Sequence, residues 1–515
     1  MNFRDCTLCV VLSLFTSSEQ SGLFAEQVNI QRPNIIYILA DDLGIGDVGA
    51  FNSEGKIATP NIDRLTADGM KFTDAHSGSA VCTPTRYGIL TGRYAWRTRL
   101  QSGVLWGYSL PLISEGRMTV ASILQKQGYN TGCIGKWHLG LKWTRKDVNI
   151  PYTDSSKELW NNYDLSKPIL SGPIQAGFDS WFGISASLDM HPYVYIQNDR
   201  ATSISTTLVQ PSGGKTFWRK GPIGDDFKHI EVLDKLTAKA VEYVTAQTAT
   251  KPFFMYFPLT APHKPILPAD RFQNQSELNE WGDFVMQVDW TVGQVMQTLE
   301  SKGLAENTLF IVTSDNGATP GADFGELGRQ GHHPSANFRG HKADIFEGGH
   351  RVPFVARWPA VIAAGTVSNA TICHTDLLAT AAHITGYELA DNAGEDSFSM
   401  LPVMTSASTG PVREATVHHS INGSFAIRQG QWKLCLCRGS GGWSAPRPAQ
   451  AKQDNLPEIQ LFDLSADVTE TNSVHTEHPE IVKELTEVLK RYVMEGRSTP
   501  GELQPNDRDV NFTAH

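Results

Sequence analysis

Apolar runs that stop abruptly in acidic or amide side chains recur along this chain. Ile35-Ile36-Tyr37-Ile38-Leu39 is a continuous apolar stretch of the kind shown by a strand buried on both faces, and it ends in Ala40-Asp41-Asp42-Leu43-Gly44. Phe253-Phe254-Met255-Tyr256-Phe257 and Leu309-Phe310-Ile311-Val312 repeat the pattern, the second running into Thr313-Ser314-Asp315-Asn316-Gly317. Between them, Phe284, Val285, Val288, Val292, Val295 and Leu299 recur at helical spacing. Thr59-Pro60-Asn61-Ile62 reads as a helix start, with Thr59 as N-cap and Pro60 at the first helical position; Gly69 closes that helix. Strand then helix, repeated, predicts an α/β fold: a large, mixed, mostly parallel sheet sandwiched by helices. Such sheets carry ligands at the carboxyl ends of their strands, where the polar residues lie here.

From about residue 396 the texture changes. Short strand-like pieces appear, such as Phe425-Ala426-Ile427-Arg428 and Trp432-Lys433-Leu434-Cys435, with Gly-rich turns including Gly439-Ser440-Gly441-Gly442. A final amphipathic helix places Ile481, Leu485, Val488, Leu489 and Tyr492 on one stripe. The expected division is a catalytic α/β domain over 30–395, an α+β subdomain on a short antiparallel sheet over 396–500, and a tail over 501–515. At the other end, a short head with one cation (Arg4) precedes the mostly apolar run Leu8 to Phe15, too short to span a bilayer. Residues 1–25 therefore read as an export signal, and the expected location is periplasmic or secreted. No later run of about 18 apolar residues occurs, so no membrane span is expected.

The chain has 515 residues, 40% apolar and 19% charged, which excludes a disordered protein. Its 44 basic and 54 acidic residues give a formal net charge of −10. That argues against a nucleic-acid partner, which needs a cationic face, but not against a small anionic substrate in a locally basic pocket. The seven cysteines are Cys6, Cys9, Cys82, Cys133, Cys373, Cys435 and Cys437. Without the export signal five remain, so at least one is unpaired or chemically altered. Cys435 and Cys437 are not expected to pair with each other, and the lack of a Cys-x-x-Cys pair argues against structural zinc.

The segment Cys82-Thr83-Pro84-Thr85-Arg86-Tyr87-Gly88-Ile89-Leu90-Thr91-Gly92-Arg93 carries the most chemistry. Pro84 fits the first turn of a helix, which puts Cys82 at a helix N-terminus where unpaired N–H groups favour an anion. Arg86 lies one turn along the same face. Asp41, Asp42, Asp315 and Asn316 end two strands, and three carboxylates with one amide oxygen make a site for a hard cation, Ca²⁺ or Mg²⁺ rather than Zn²⁺.

This segment resembles the signature of the type I sulfatases of the alkaline-phosphatase superfamily: Cys-x-Pro-x-Arg, four residues, then Thr-Gly-Arg. Cys82, Pro84, Arg86, Thr91, Gly92 and Arg93 match it. Ordered matches run from about Pro33 to Pro353. The resemblance implies that Cys82 is oxidised to formylglycine (3-oxoalanine) by a formylglycine-generating or anaerobic sulfatase-maturating enzyme. It also implies one Ca²⁺, held by Asp41, Asp42, Asp315, Asn316 and the modified residue 82. Gly135-Lys136-Trp137-His138-Leu139-Gly140 matches a family element. If it is a strand, Lys136 and His138 share a face. His263 follows the Phe253–Phe257 strand, and Lys342 precedes Glu347-Gly348-Gly349 as the family's sulfate-contacting lysine does. Ser187 matches a family pocket serine, and Arg93 reads as structural.

The implied reaction is sulfate-ester hydrolysis. A hydrated aldehyde at position 82 attacks sulfur, with Arg86, Lys136 and Lys342 stabilising the sulfuryl oxygens, His263 or Lys342 protonating the leaving alcohol, and His138 removing a proton for sulfate release. Two alternatives stay open: a phosphatase or phosphodiesterase on the same fold, and a silent sulfated-glycan-binding protein with unmodified Cys82. The expected substrate is a sulfated carbohydrate. Trp106, Trp143, His191, His332, His333, Arg438 and Trp443 are the candidate rim residues, with His191 and Arg438 singled out for substrate. The Trp432-Lys433-Leu434 and Gly441-Gly442-Trp443 region resembles members acting on galactose or N-acetylgalactosamine sulfates.

Overall fold

A computed structural model describes residues 32–152, 159–204, 207–406 and 410–512. The export-signal reading therefore lies outside the described residues. The apolar runs form strands of one ten-stranded sheet: β1 Asn34–Asp41, β2 Met70–Phe72, β3 Asn130–Lys136, β4 Ser180–Ile184, β5 Ile196–Gln197, β6 Arg200–Ala201, β7 Phe253–Pro262, β8 Thr308–Ser314, β9 Phe354–Arg357 and β10 Thr366–Ser368. Their order is β10-β2-β9-β8-β1-β7-β3-β4-β5-β6. The five central strands β8, β1, β7, β3 and β4 are parallel, and antiparallel pairings flank them on both sides. This is the mixed, mostly parallel sheet that the sequence predicts, and it is physically consistent with central strands buried along their whole length.

Because β1, β3, β7 and β8 run the same way, their carboxyl ends share one edge of the sheet. Asp41 pairs in register with Pro262, and Ala40 with Ser314. Residues from positions 41, 136, 263 and 315 are thereby gathered by topology, although they are far apart in sequence. The long helix Glu280–Ser301 supports the sheet, burying Phe284, Val285, Val288, Val292, Val295 and Leu299 in a core shared with Ile36, Ile38, Met255, Phe257 and Val312. The helix Pro60–Ala67 forms with Pro60 at its first position, but the Thr59 side chain accepts no helix N–H; its hydroxyl instead accepts from Gly49 N–H and donates to the Asp63 side chain.

The C-terminal strands β11 Thr416–His419, β12 Phe425–Gln429, β13 Trp432–Cys435 and β14 Gln460–Asp463 form a four-stranded antiparallel sheet. The helix Pro479–Glu495 covers it, burying Leu485, Leu489 and Tyr492 against Val417, Ile427, Leu434 and Leu461. Arg32–His515 cluster as one compact unit. Glu395 and Asp396 are buried and hold Arg93, Arg117 and Arg97. Residues 501–512 are not loose: Asn506 bonds Arg97 and the Val493 carbonyl, and Asp507 pairs with Arg93. The described cysteines are all free, and Cys435 and Cys437 pack into the same small cluster. Among the described residues no helix is long and apolar enough to cross a membrane.

Candidate active site

Cys82 opens the helix Cys82–Thr91, which is buried along its full length and closed by Gly92 at a φ of 63°. Burial pushes the Cys82 thiol up to about 12, against the pull of Lys136 and Lys342, so it stays protonated and is a poor nucleophile as it stands. Arg86, one turn on, is fully buried. It donates to Asp315 through Nε and Nη2 (3.2 and 2.8 Å) and to the Lys136 carbonyl through Nη1 (3.0 Å), and Nη2 lies 3.4 Å from Asp41. Lys136 ends β3 and donates to Asp41 at 2.7 Å. Lys342 donates to Asp42 at 2.8 Å and reaches the Cys82 sulfur at 3.5 Å. Three carboxylates thus face three cations, a formally neutral and buried cluster.

Asp42, His138 and Ala343 all hold positive φ, at 71°, 55° and 81°. Strained backbone of this kind persists only where surrounding structure imposes it, and all three lie at or beside the cluster.

His138 departs from the strand expectation. β3 stops at Lys136, so the alternation that would put Lys136 and His138 on one face does not extend to residue 138. The turn instead sends His138 Nε2 to the Leu105 carbonyl at 2.8 Å, while its backbone N–H donates to the Ser185 carbonyl. A carbonyl only accepts, so Nε2 carries the proton and Nδ1 is left as a buried, unpartnered lone pair. Burial and the neighbouring Lys136 and Arg86 keep this imidazole neutral. His263, just past β7, places Nε2 at 3.8 Å from Asp42.

The donor set suits a hard cation. Ligand atoms of Asp41, Asp42, Cys82 and His263 lie within 4.8 Å of one another. Asp315 and Asn316 join them, Asp315 accepting from the Asp42 N–H and Asn316 Nδ2 donating to Asp42 at 2.7 Å. Asp41 Oδ1 and Asn316 Oδ1 are buried oxygens without a hydrogen bond. Orphaned acceptors beside three carboxylates are what an oxygen-seeking divalent ion would satisfy.

A sulfatase family model matches residues 33–387. The chain belongs to the sulfatase family. This sulfatase is 33% identical over 519 residues to an N-acetylgalactosamine-6-O-sulfatase of Bacteroides thetaiotaomicron, covering 93% of this chain and 96% of the relative. It is 29% identical to an N-acetylgalactosamine-6-sulfatase of Mus musculus, covering 92% and 84%. Among solved structures, a sulfatase from work on glycosaminoglycan metabolism by B. thetaiotaomicron superimposes with a TM-score of 0.77 at 33% identity, covering 89% of this chain and 99% of that one. The family generally works with a formylglycine and Ca²⁺.

The sequence-chosen residues divide sharply. Asp41, Asp42, Cys82, Arg86, Lys136, His138, His263, Asp315, Asn316 and Lys342 converge, and Arg93 braces the nucleophile helix through Glu395 and Asp507. Ser187 and His191 lie on the loop that follows β4; both are buried, with Ser187 Oγ and His191 Nδ1 unpartnered. Arg438 instead turns to Glu458 and the Leu456 carbonyl. His332 is not a rim residue: it is fully buried, bonding Asp47 and accepting from the Lys56 N–H. Trp143 is buried, its indole donating to Gly107. Lys433 is a buried partner of Glu347 and Glu470. Two participants escaped the sequence: the Leu105 carbonyl, which as backbone has no residue signature, and Thr83, whose hydroxyl accepts the Leu105 N–H.

Proposed function

We propose that this sulfatase is an exported enzyme that removes sulfate from a carbohydrate ester, with a sulfated N-acetylgalactosamine as the first candidate substrate. It would use residue 82 as formylglycine, installed by a formylglycine-generating or anaerobic sulfatase-maturating enzyme, and one Ca²⁺. The observation that carries the reading is the convergence of Cys82 with three carboxylates, Asn316 and three cations at the carboxyl edge of the parallel sheet. The names of the relatives at 33% and 29% identity support the substrate.

Asp41, Asp42, Asp315, Asn316 and residue 82 would hold the calcium, which when bound supplies Lewis-acid stabilisation of charge. Oxidation of residue 82 answers a problem the geometry poses, because a thiol pushed up to about 12 offers little thiolate near neutral pH, whereas an aldehyde hydrate brings oxygen to the same position. Lys136 and Lys342 supply positive charge beside position 82, where the sulfuryl oxygens would lie. Arg86 is committed to Asp41 and Asp315 and acts by fixing those carboxylates. His138 accepts a proton at Nδ1, its tautomer set by Leu105. Lys342, whose charge Asp42 favours, and His263 are the groups placed to return a proton to the leaving alcohol.

Two measurements test this. Mass spectrometry of the peptide containing residue 82 should show a loss of about 18 mass units relative to the thiol, as a carbonyl oxygen replaces the sulfur and two hydrogens. Purified enzyme should release sulfate from 6-sulfated N-acetylgalactosamine and leave an aryl phosphate nearly untouched. Full activity with an intact thiol, or a preference for the phosphate, rejects the proposal.

A further inference from the structure

Beside the nucleophile pocket lies a wall of polar groups that no step above uses. The loop after β4 begins at Ser185, whose carbonyl takes the His138 N–H. Further along this loop, Ser187 Oγ, Asp189 Oδ1 and His191 Nδ1 are buried without hydrogen-bond partners. An unmet buried polar atom costs about 1–3 kcal/mol, and native proteins carry few, so three on one short loop call for a polar ligand.

Asp189 is paired. Its other carboxylate oxygen takes Arg219 Nη1, and the Arg219 guanidinium lies 4.8 Å from the Trp106 ring centroid. Tyr193 ties the two backbones together: its single O–H is shared between the Arg219 and Asp189 carbonyls at 2.7 and 3.0 Å, and its oxygen accepts the Arg219 N–H at 3.0 Å. Trp106 follows Leu105, which bonds both His138 and Thr83, the neighbour of Cys82. The Asp189 side chain is 8% exposed and that of Arg219 33%, so the pair reaches from buried wall to open rim.

We propose that Asp189 and Arg219, stacked on Trp106, form the clamp that reads hydroxyl groups of the leaving sugar. Asp189 Oδ1 accepts from a hydroxyl, Arg219 donates to a ring or hydroxyl oxygen, and Trp106 offers an apolar face beside them. The proposal rests on the carbohydrate reading above and assigns part of its specificity to these side chains.

The test compares kcat/KM for 6-sulfated N-acetylgalactosamine with that for an aryl sulfate, which has no sugar hydroxyls, in wild type, Asp189→Asn and Arg219→Ala. Arg219 is partly exposed, so its variant guards against misfolding of the other. The sugar-to-aryl ratio should fall about tenfold or more in each variant, the scale expected for one lost charge-assisted hydrogen bond. An unchanged ratio in both variants, with the sugar turned over by wild type, overturns the clamp alone. Wild-type turnover of the aryl sulfate without turnover of any sulfated sugar overturns the carbohydrate reading, and the clamp with it.

Discussion

Arg86 spends its donors on its own protein, and that makes it a measure of the cluster's electrostatics. With no exposed surface, it faces Asp41 and Asp315 at 3.4 and 2.8 Å. Removing one partner of a buried ion pair costs about 3–5 kcal/mol, because the remaining charge has neither water nor a counter-ion. Arg86→Ala should therefore lower stability by about that amount when measured by denaturant unfolding under chelation. A calcium ion on the same carboxylates would supply part of the missing charge, so the deficit should shrink when calcium is added. An equal deficit with and without calcium would show that ion and arginine do not share these carboxylates. At the nucleophile itself, Cys82→Ala should abolish sulfate release while leaving stability under chelation within about 1–2 kcal/mol of wild type, since one small buried group and its 3.5 Å contact with Lys342 are lost; retained turnover would remove residue 82 from the chemistry. What could be read at this scale depended on whether a side chain's partner is itself legible. Asp41 and Asp315 announced themselves by closing apolar runs. His332 looked like a rim histidine because nothing in its neighbourhood in sequence reveals Asp47, and His138 looked like a strand residue because a φ of 55° leaves no mark in composition.

At the scale of elements, the site depends on two turns that only glycine permits. Gly317 follows Asn316 and donates its N–H to the Gly349 carbonyl at 3.0 Å; a Cβ on it would lie 1.8 Å from the Gly348 carbonyl oxygen. Backbone meets backbone there, so no side chain can yield. The pair explains why Asp315-Asn316-Gly317 and Glu347-Gly348-Gly349 occur together: one turn carries the Asp315 and Asn316 oxygens and the other braces it. Gly317→Ala should shift Asn316 and lower kcat/KM at least about tenfold, with calcium affinity falling in parallel and a stability cost of about 1–3 kcal/mol. Unchanged calcium affinity would break the link between this turn and the cation. The periodicity of the chain found the strands and the long helix because each is long and buried on a regular pattern. It could not show that β1, β3, β7 and β8 lie adjacent and parallel, which is a property of pairing, and pairing is what assembles the site.

Across the whole molecule, buried histidines couple the fold to pH. His76, His350 and His418 form a packed group between the catalytic sheet and the C-terminal sheet, with His350 and His418 stacked at 3.8 Å and Lys433 donating to His350. Burial holds all three below the ordinary histidine range, and it holds His191, His229 and His374 at about 4. In the folded state they stay neutral; once unfolded, each takes a proton below about pH 6.5. The unfolded state then binds more protons, so stability is fully present above about pH 6.5 and is lost progressively as pH falls toward the folded-state values. Outside the active-site cluster, where Asp315 is raised and His138 and His263 are lowered, three carboxyls oppose this. Burial raises Asp376, brings Asp289 to about 6 and Glu470 to about 7, so they protonate in the folded state first and add stability over part of the same range. Six groups outweigh three, and the unfolding midpoint should decline from pH 7 to pH 5. The decline should be smaller in a His229→Gln variant, which removes one histidine that resists protonation. A midpoint that rises toward pH 5 would mean that the carboxyls, not the histidines, dominate the proton balance of folding.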